Sequence, residues 1–145
     1  MLSRNSLLYI LAGLIIVIVA LHGTALAYAL YWYWWWYDLV LHFLGGVFST
    51  LVAVWFCFFS GYTAFKVPSP ARLLRFAILS AILIGLGWEL FERFLGHSWS
   101  PEGYYLDTGI DLVMDTLGGL TGFLVFFRKP AALPENEGRL VDAAS

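Results

Sequence analysis

The stretch DLVLHFLGGVFSTLV, from Asp38 to Val52, returns almost in register as DLVMDTLGGLTGFLV, from Asp111 to Val125. Both copies open on Asp-Leu-Val and reach a Gly-Gly pair, with His42 in one standing where Asp115 stands in the other. At about 100° per residue, Asp38, His42, Gly45, Gly46 and Ser49 fall within an arc roughly 100° wide. Asp111, Asp115, Gly118, Gly119 and Gly122 fill the same arc of the second copy. A helix that is apolar around most of its girth, with ionisable and small residues on one stripe, reads as a membrane span whose stripe faces other helices. Small residues on facing stripes let backbones approach closely. The two copies are therefore expected to pack together, bringing Asp38 and His42 beside Asp111 and Asp115 at similar depth. Both run the same way across the bilayer, as in a parallel repeat about an axis along the membrane normal.

The rest of the chain fits this reading. A spanning helix needs about 20 mostly apolar residues, and four stretches supply them: 7–30, 39–59, 73–95 and 108–127. The 145 residues are 61% hydrophobic and 12% charged, with mean hydropathy +0.78; a soluble domain carries about a quarter charged residues. The fold expected is all-α: a polytopic bundle of about four transmembrane helices formed by residues 1–129, followed by a disordered cytoplasmic tail over 130–145. A net charge of −2 with no basic block argues against nucleic acid as a partner. The single cysteine, Cys57, excludes an internal disulfide or a CxxC site. Arg4, the apolar run and Ala25-Leu26-Ala27 also fit a secretory signal, but the run continues to Leu30 and into aromatics, which favours a retained span.

The basic residues set the orientation. Arg4, then Lys66, Arg72 and Arg75, then Arg128 and Lys129 all fall on one side of a four-helix path, whereas the opposite connections hold only Arg93, near a helix end. The positive-inside rule then puts both termini in the cytoplasm and the chain in the cytoplasmic (inner) membrane. An alkaline phosphatase fused at the C-terminus should be inactive, and one placed in the loop from Trp99 to Tyr105 active; the reverse pattern would invert the topology.

Acids crowd the extracytoplasmic side. The third span carries Glu89 and Glu92 in WELFER, with Arg93 beside them, and Asp107 lies one turn before Asp111. An isolated charge at the bilayer centre costs about 2.5–3.5 kcal/mol on insertion scales, so these carboxylates must line water, pair, bind a cation or hold protons. Arg93 can neutralise only one. Carboxylates with an imidazole and no thiolate suit a hard divalent ion such as Mg²⁺, Mn²⁺ or Ca²⁺. Glu89, Glu92, Asp111, Asp115 and Asp107 are the expected metal ligands. His42 is expected as general base or nucleophile with Asp38 orienting it, and Arg93 as the group that holds phosphate.

Other residues read more plainly. The YWYWWWY run, Tyr31 to Tyr37, is expected as an interfacial aromatic belt. His22, alone on an apolar helix, is expected to pack or to make a helix–helix hydrogen bond. His97, Trp99, Tyr104 and Tyr105 belong at the interface, with His97 within reach of the acids, and Cys57 fills space.

The ordered motifs YDxxxHFxxG from Tyr37, WExxE from Trp88 and DxxxDxxG from Asp111 resemble those of the VanZ-like (teicoplanin-resistance) and YjdF-like inner-membrane proteins. Leu39 and Asp115 stand where many VanZ-like chains carry Lys and Asn, so the pattern is nearer the YjdF-like one. The resemblance implies a compact four-helix domain with its polar residues facing one pocket. It also implies chemistry on lipid headgroups or lipid-linked envelope intermediates. Because a phosphate would be repelled by so many carboxylates, such chemistry calls for a divalent ion between them. The expected function is a membrane-embedded, divalent-metal-dependent enzyme acting on a phosphate-bearing lipid headgroup at the extracytoplasmic leaflet. The alternatives are a cation or proton carrier, or a non-catalytic membrane assembly or resistance factor. Expected partners are membrane lipids and a second copy of the chain through the glycine-rich faces.

Overall fold

A computed structural model describes residues 4–96 and 103–127 of the chain. The expectations placed on His97, Trp99, Arg128, Lys129 and the tail 130–145 lie outside the described residues, as does the side chain of Arg4. The helices are α1 (Arg4–Tyr28), a single turn α2 (Leu30–Tyr33), α3 (Trp36–Val54), α4 (Pro70–Leu95) and α5 (Tyr104–Phe126). Four segments are long and apolar enough to cross a membrane: Asn5–Tyr28, Trp36–Phe59, Pro70–Leu95 and Tyr104–Phe126. They match the four apolar stretches of the sequence. The last three begin earlier than hydropathy alone indicates, because aromatic and polar residues at a membrane–water boundary continue a helix without apolar side chains.

The breaks have local causes. Ala29 adopts a left-handed conformation (φ 54°), ending α1 and turning the chain into the aromatic run. Pro70 opens α4 at the helix start, where its missing N–H is no loss. Gly96 (φ 75°) closes α4, its N–H donating to the Arg93 carbonyl at 3.1 Å. A π-turn at Trp55–Phe59 extends α3 toward the bend that precedes α4.

α3 is the centre of the bundle. It packs most extensively on α5, then on α4, and α1 lies against its outer side. α3 and α5 run parallel: a Cβ added at Gly118 would overlap the Phe43 carbonyl, and one at Gly122 would lie 3.4 Å from the Val47 carbonyl oxygen. α4 runs antiparallel between them, with Thr50 Oγ1 donating to the Ala77 carbonyl at 3.0 Å. The apolar core fills one half of the bundle. Val54, Leu73, Ala77 and Phe123 form one cluster, and Leu7 and Leu11 of α1 meet Leu51 in another. The acids lie in the other half, at the end opposite Lys66, Arg72 and Arg75. Gly46, Gly118, Gly119 and Gly122, on which self-association was expected, are buried between the chain's own helices. The stripe face of the parallel pair is thus already occupied within one chain.

Candidate functional site

His42 sits on the second turn of α3, facing α4 and α5, and is 5% exposed. Four carboxylates from three helices surround its ring. Nδ1 lies 3.4 Å from Asp115 Oδ2. Nε2 lies 3.5 Å from Glu89 Oε1, 3.9 Å from Asp111 Oδ2 and 3.9 Å from Asp38 Oδ1. The convergence of the two repeat stripes expected from the sequence is realised, and Glu89 enters from α4 to complete it.

The two ring nitrogens have different surroundings. Asp115 lies in a slot cut by glycines. A Cβ on Gly85 of α4 would overlap Asp115 Oδ2, one on Gly46 would overlap the Asp115 carbonyl, and one on Gly45 would lie 3.7 Å from Asp115 Oδ1. The slot holds Asp115 close against Nδ1 of His42. Nε2 is then left facing three carboxylate oxygens with nothing cationic between them but what the imidazole itself can carry. Two sets of side chains offer ligand atoms within 4.8 Å of one another: Asp38, His42 and Asp111, and His42, Glu89 and Glu92. Asp115 and Asp107, both expected as ligands, belong to neither set. Asp115 lies against Nδ1 of the histidine, and Asp107 is half-buried near Asp111 on α5.

Burial sharpens the charge problem. Glu89 and Asp111 are 4% and 2% exposed, and Glu89 Oε1 and Asp111 Oδ1 each lack a hydrogen-bond partner. A buried carboxylate oxygen with no partner keeps its full desolvation cost, and native proteins seldom leave one without a reason. The other Glu89 oxygen is satisfied: Thr108 Oγ1 donates to Oε2 at 2.7 Å. Thr108 was missed in the sequence, although at about 100° per residue it falls on the same arc as Asp111 and Asp115. Replacing Thr108 by Val keeps the shape and removes the donor. The metal-free protein should lose about 1–3 kcal/mol, read as a lower thermal midpoint in detergent; an unchanged midpoint would show that Glu89 does not need this bond.

The mouth is built from Asp38, Glu92 and Asp107, all partly exposed, with Arg93 at its rim. The Arg93 guanidinium lies over the Tyr104 ring, 4.1 Å from its centroid. No ion pair joins it to a carboxylate among the described residues. Beside the mouth, His22 Nδ1 meets Tyr31 Oη at 2.7 Å, the helix-to-helix hydrogen bond expected of a lone histidine, and Trp88 packs edge-on against the His22 ring. Burial, and then the nearby charges of Asp38 and Glu92, push the Tyr31 phenol well above its ordinary range, so Tyr31 keeps its proton. The aromatic run presents exposed rings, with Trp34 stacked on Trp36 at 5.7 Å.

A family model described as "Predicted membrane protein (DUF2238)" matches residues 2–131. That description carries a membrane location and no activity, and the VanZ-like and YjdF-like resemblances rest on the three motifs alone. No curated protein and no solved structure matches the chain.

Proposed function

The chain belongs to the DUF2238 family of predicted membrane proteins, and we propose that it is a membrane-embedded enzyme that uses a hard divalent cation to act on a phosphate-bearing lipid headgroup. The observation that carries this reading is the crowding of three carboxylate oxygens within 3.9 Å of His42 Nε2, with buried oxygens of Glu89 and Asp111 that make no hydrogen bond. A cation held there would balance these carboxylates. Carboxylate oxygens and one imidazole suit Mn²⁺ or Mg²⁺ ahead of softer ions, with Ca²⁺ as a third candidate.

The surroundings support a lipid substrate. The site opens at one end of a bundle whose outer faces are apolar, beside exposed tryptophans of the kind that lie at headgroup level. The positive-inside arrangement supports the extracytoplasmic leaflet of the cytoplasmic membrane. Arg93, stacked over the Tyr104 ring, is the residue we assign to a phosphate oxygen. A bound divalent ion would polarise the phosphoryl oxygen and offset the acids that otherwise repel it. In the reaction, a phosphorus–oxygen bond of the headgroup breaks. An acceptor hydroxyl (water in hydrolysis, an alcohol in transfer) bonds to phosphorus, and its proton passes to the leaving oxygen. Asp107, which belongs to neither ligand set, is the carboxylate we assign to that proton, in place of the His42 base expected from the sequence.

The test is turnover in a defined bilayer. Full-length protein in nanodiscs of bacterial phospholipid, with Mn²⁺ added, should release or exchange headgroups measurable by ³¹P NMR and lipid mass spectrometry. Asp111→Asn and His42→Ala should lower that rate by at least 100-fold. An intact lipid profile over folded, Mn²⁺-loaded protein would refute the enzyme reading and leave a cation-binding membrane protein without lipid chemistry.

A further inference from the structure

α1 and α4 both pack on α3, yet they stand apart from each other: among the described residues no Cα of α1 comes within 8 Å of one on α4. A pair of rings spans the interval. His22 of α1 meets Trp88 of α4 edge-on, with centroids 6.1 Å apart. Tyr31 Oη lies 2.7 Å from His22 Nδ1, and Tyr37 Oη donates to the Leu21 carbonyl at 3.1 Å, which ties this bridge to the start of α3. Below the bridge, toward the Lys66 end, both walls are apolar. At about 100° per residue Ile15 and Val19 share the side of α1 that His22 marks, and Ile84 the side of α4 that Trp88 marks. All three are exposed. The floor is α3. Gly45 falls there between the side that meets α1, marked by Leu51, and the side that meets α4, marked by His42 and Thr50. A Cβ added at Gly45 meets a single atom of another helix, Asp115 Oδ1 at 3.7 Å. The result is a furrow walled by α1 and α4 and barred at its upper end by the two rings.

We propose that this furrow seats one acyl chain of the phospholipid whose headgroup reaches the carboxylates, so that the lipid enters from the side, between α1 and α4. The proposal rests on the lipid reading above and adds its route of entry. Depth is the first support. Trp88 lies about 10 Å inside the end of α4 at Leu95, at 1.5 Å per residue. Val19 and Ile84 lie deeper, within a hydrocarbon core about 30 Å thick. Water does not fill a space at that depth, and a void forfeits the contacts of its walls; a lipid chain is the occupant at hand. The furrow also leads to the site. Glu89 directly follows Trp88, Glu92 lies about one turn beyond, and Gly45 borders Asp115. Its chemistry is graded as a phospholipid is. Val19 and Ile84 are aliphatic. His22, Tyr31 and Trp88 come next, with polar atoms on aromatic bodies, the kind of group that suits the boundary between chain and headgroup. The carboxylates follow, where a cation and a phosphate would meet.

The test is photolabelling of the full chain in nanodiscs containing phosphatidylglycerol with a diazirine halfway along one acyl chain, mapped by peptide mass spectrometry. Val19 and Ile84 should be labelled about tenfold more than Val113 and Leu117, which are exposed on α5; tenfold is a preference of about 1.4 kcal/mol. Gly45→Phe, which fills the floor, should bring Val19 and Ile84 down to the α5 level, whereas Gly45→Ala should keep the wild-type pattern. Equal labelling of the four positions in wild type overturns the proposal. So does label on α5 with none at Val19 and Ile84, the pattern that a second copy of the chain seated in the furrow would give. The wild-type ratio decides the matter even if a substitution proves unstable. Labelling needs no turnover, so a labelled furrow on a protein that leaves headgroups intact retains the seat and removes the enzyme reading alone.

Discussion

Gly118→Leu should leave little or no folded protein in detergent, whereas Gly13→Ala and Gly23→Ala should be at least as stable as wild type. A Cβ at Gly118 would overlap the Phe43 carbonyl oxygen and lie 3.0 Å from both Phe43 C and Val47 N. These are backbone atoms of a neighbouring helix, which cannot swing aside as a side-chain tip does. Overpacking of a core commonly costs about 1–3 kcal/mol, and a leucine forced against helix backbone belongs at or above the upper end. At Gly13 and Gly23 on α1, an added Cβ meets nothing within 4 Å. There the change from glycine removes backbone freedom from the unfolded chain and gains up to about 1 kcal/mol. The measurement is the thermal midpoint from monodispersity on size exclusion after heating. Equal tolerance at Gly118 and Gly13 would contradict the close approach of α3 and α5 on which the site depends.

The second large effect concerns the cation itself. Mn²⁺ should raise the thermal midpoint of chelator-stripped wild type, since a ligand that binds only the folded state stabilises by about 2.7 kcal/mol at 100 times its Kd. His42→Ala should abolish the rise, because His42 belongs to both ligand sets. Asp115→Asn should behave differently. It weakens the grip on Nδ1 without removing a ligand, so the rise should persist but need about 10–100-fold more Mn²⁺. A cluster that is merely a protonated structural network would show no Mn²⁺ response in wild type, and the three proteins would then be indistinguishable on titration.

Much of this was legible in the sequence because membrane spans announce themselves by length. The two Asp-Leu-Val repeats placed α3 and α5, and the arc containing Asp38, His42, Asp111 and Asp115 foretold their convergence. What the arc cannot resolve is which neighbour lies within ångströms. Gly45 and Gly46 occupy the same stripe, yet only a Cβ on Gly46 would strike backbone; Gly45 has ordinary room. The place of Asp115 against Nδ1 was hidden for the same reason, since its slot needs Gly85 from a third helix whose rotation the stripe does not set. Thr108 lay on the arc and was passed over as a neutral residue among acids, though its hydroxyl donates to Glu89 Oε2. Arg93 looked like a partner for Glu89 or Glu92. Its stacking on Tyr104 crosses a connection whose path local periodicity does not describe. The left-handed turn at Ala29 has no glycine or proline to mark it.

The central claim is that a divalent cation binds at His42 among the buried carboxylates. The most direct test uses the chain carrying His22→Phe and His97→Ala, which leaves His42 as the only one of its three histidines. Loaded with Mn²⁺ and labelled with ¹⁵N-histidine, this protein should show nitrogen coupling to the metal in electron spin-echo modulation, with the isotope shift that assigns it to an imidazole. A Mn²⁺ spectrum free of histidine nitrogen would contradict the claim.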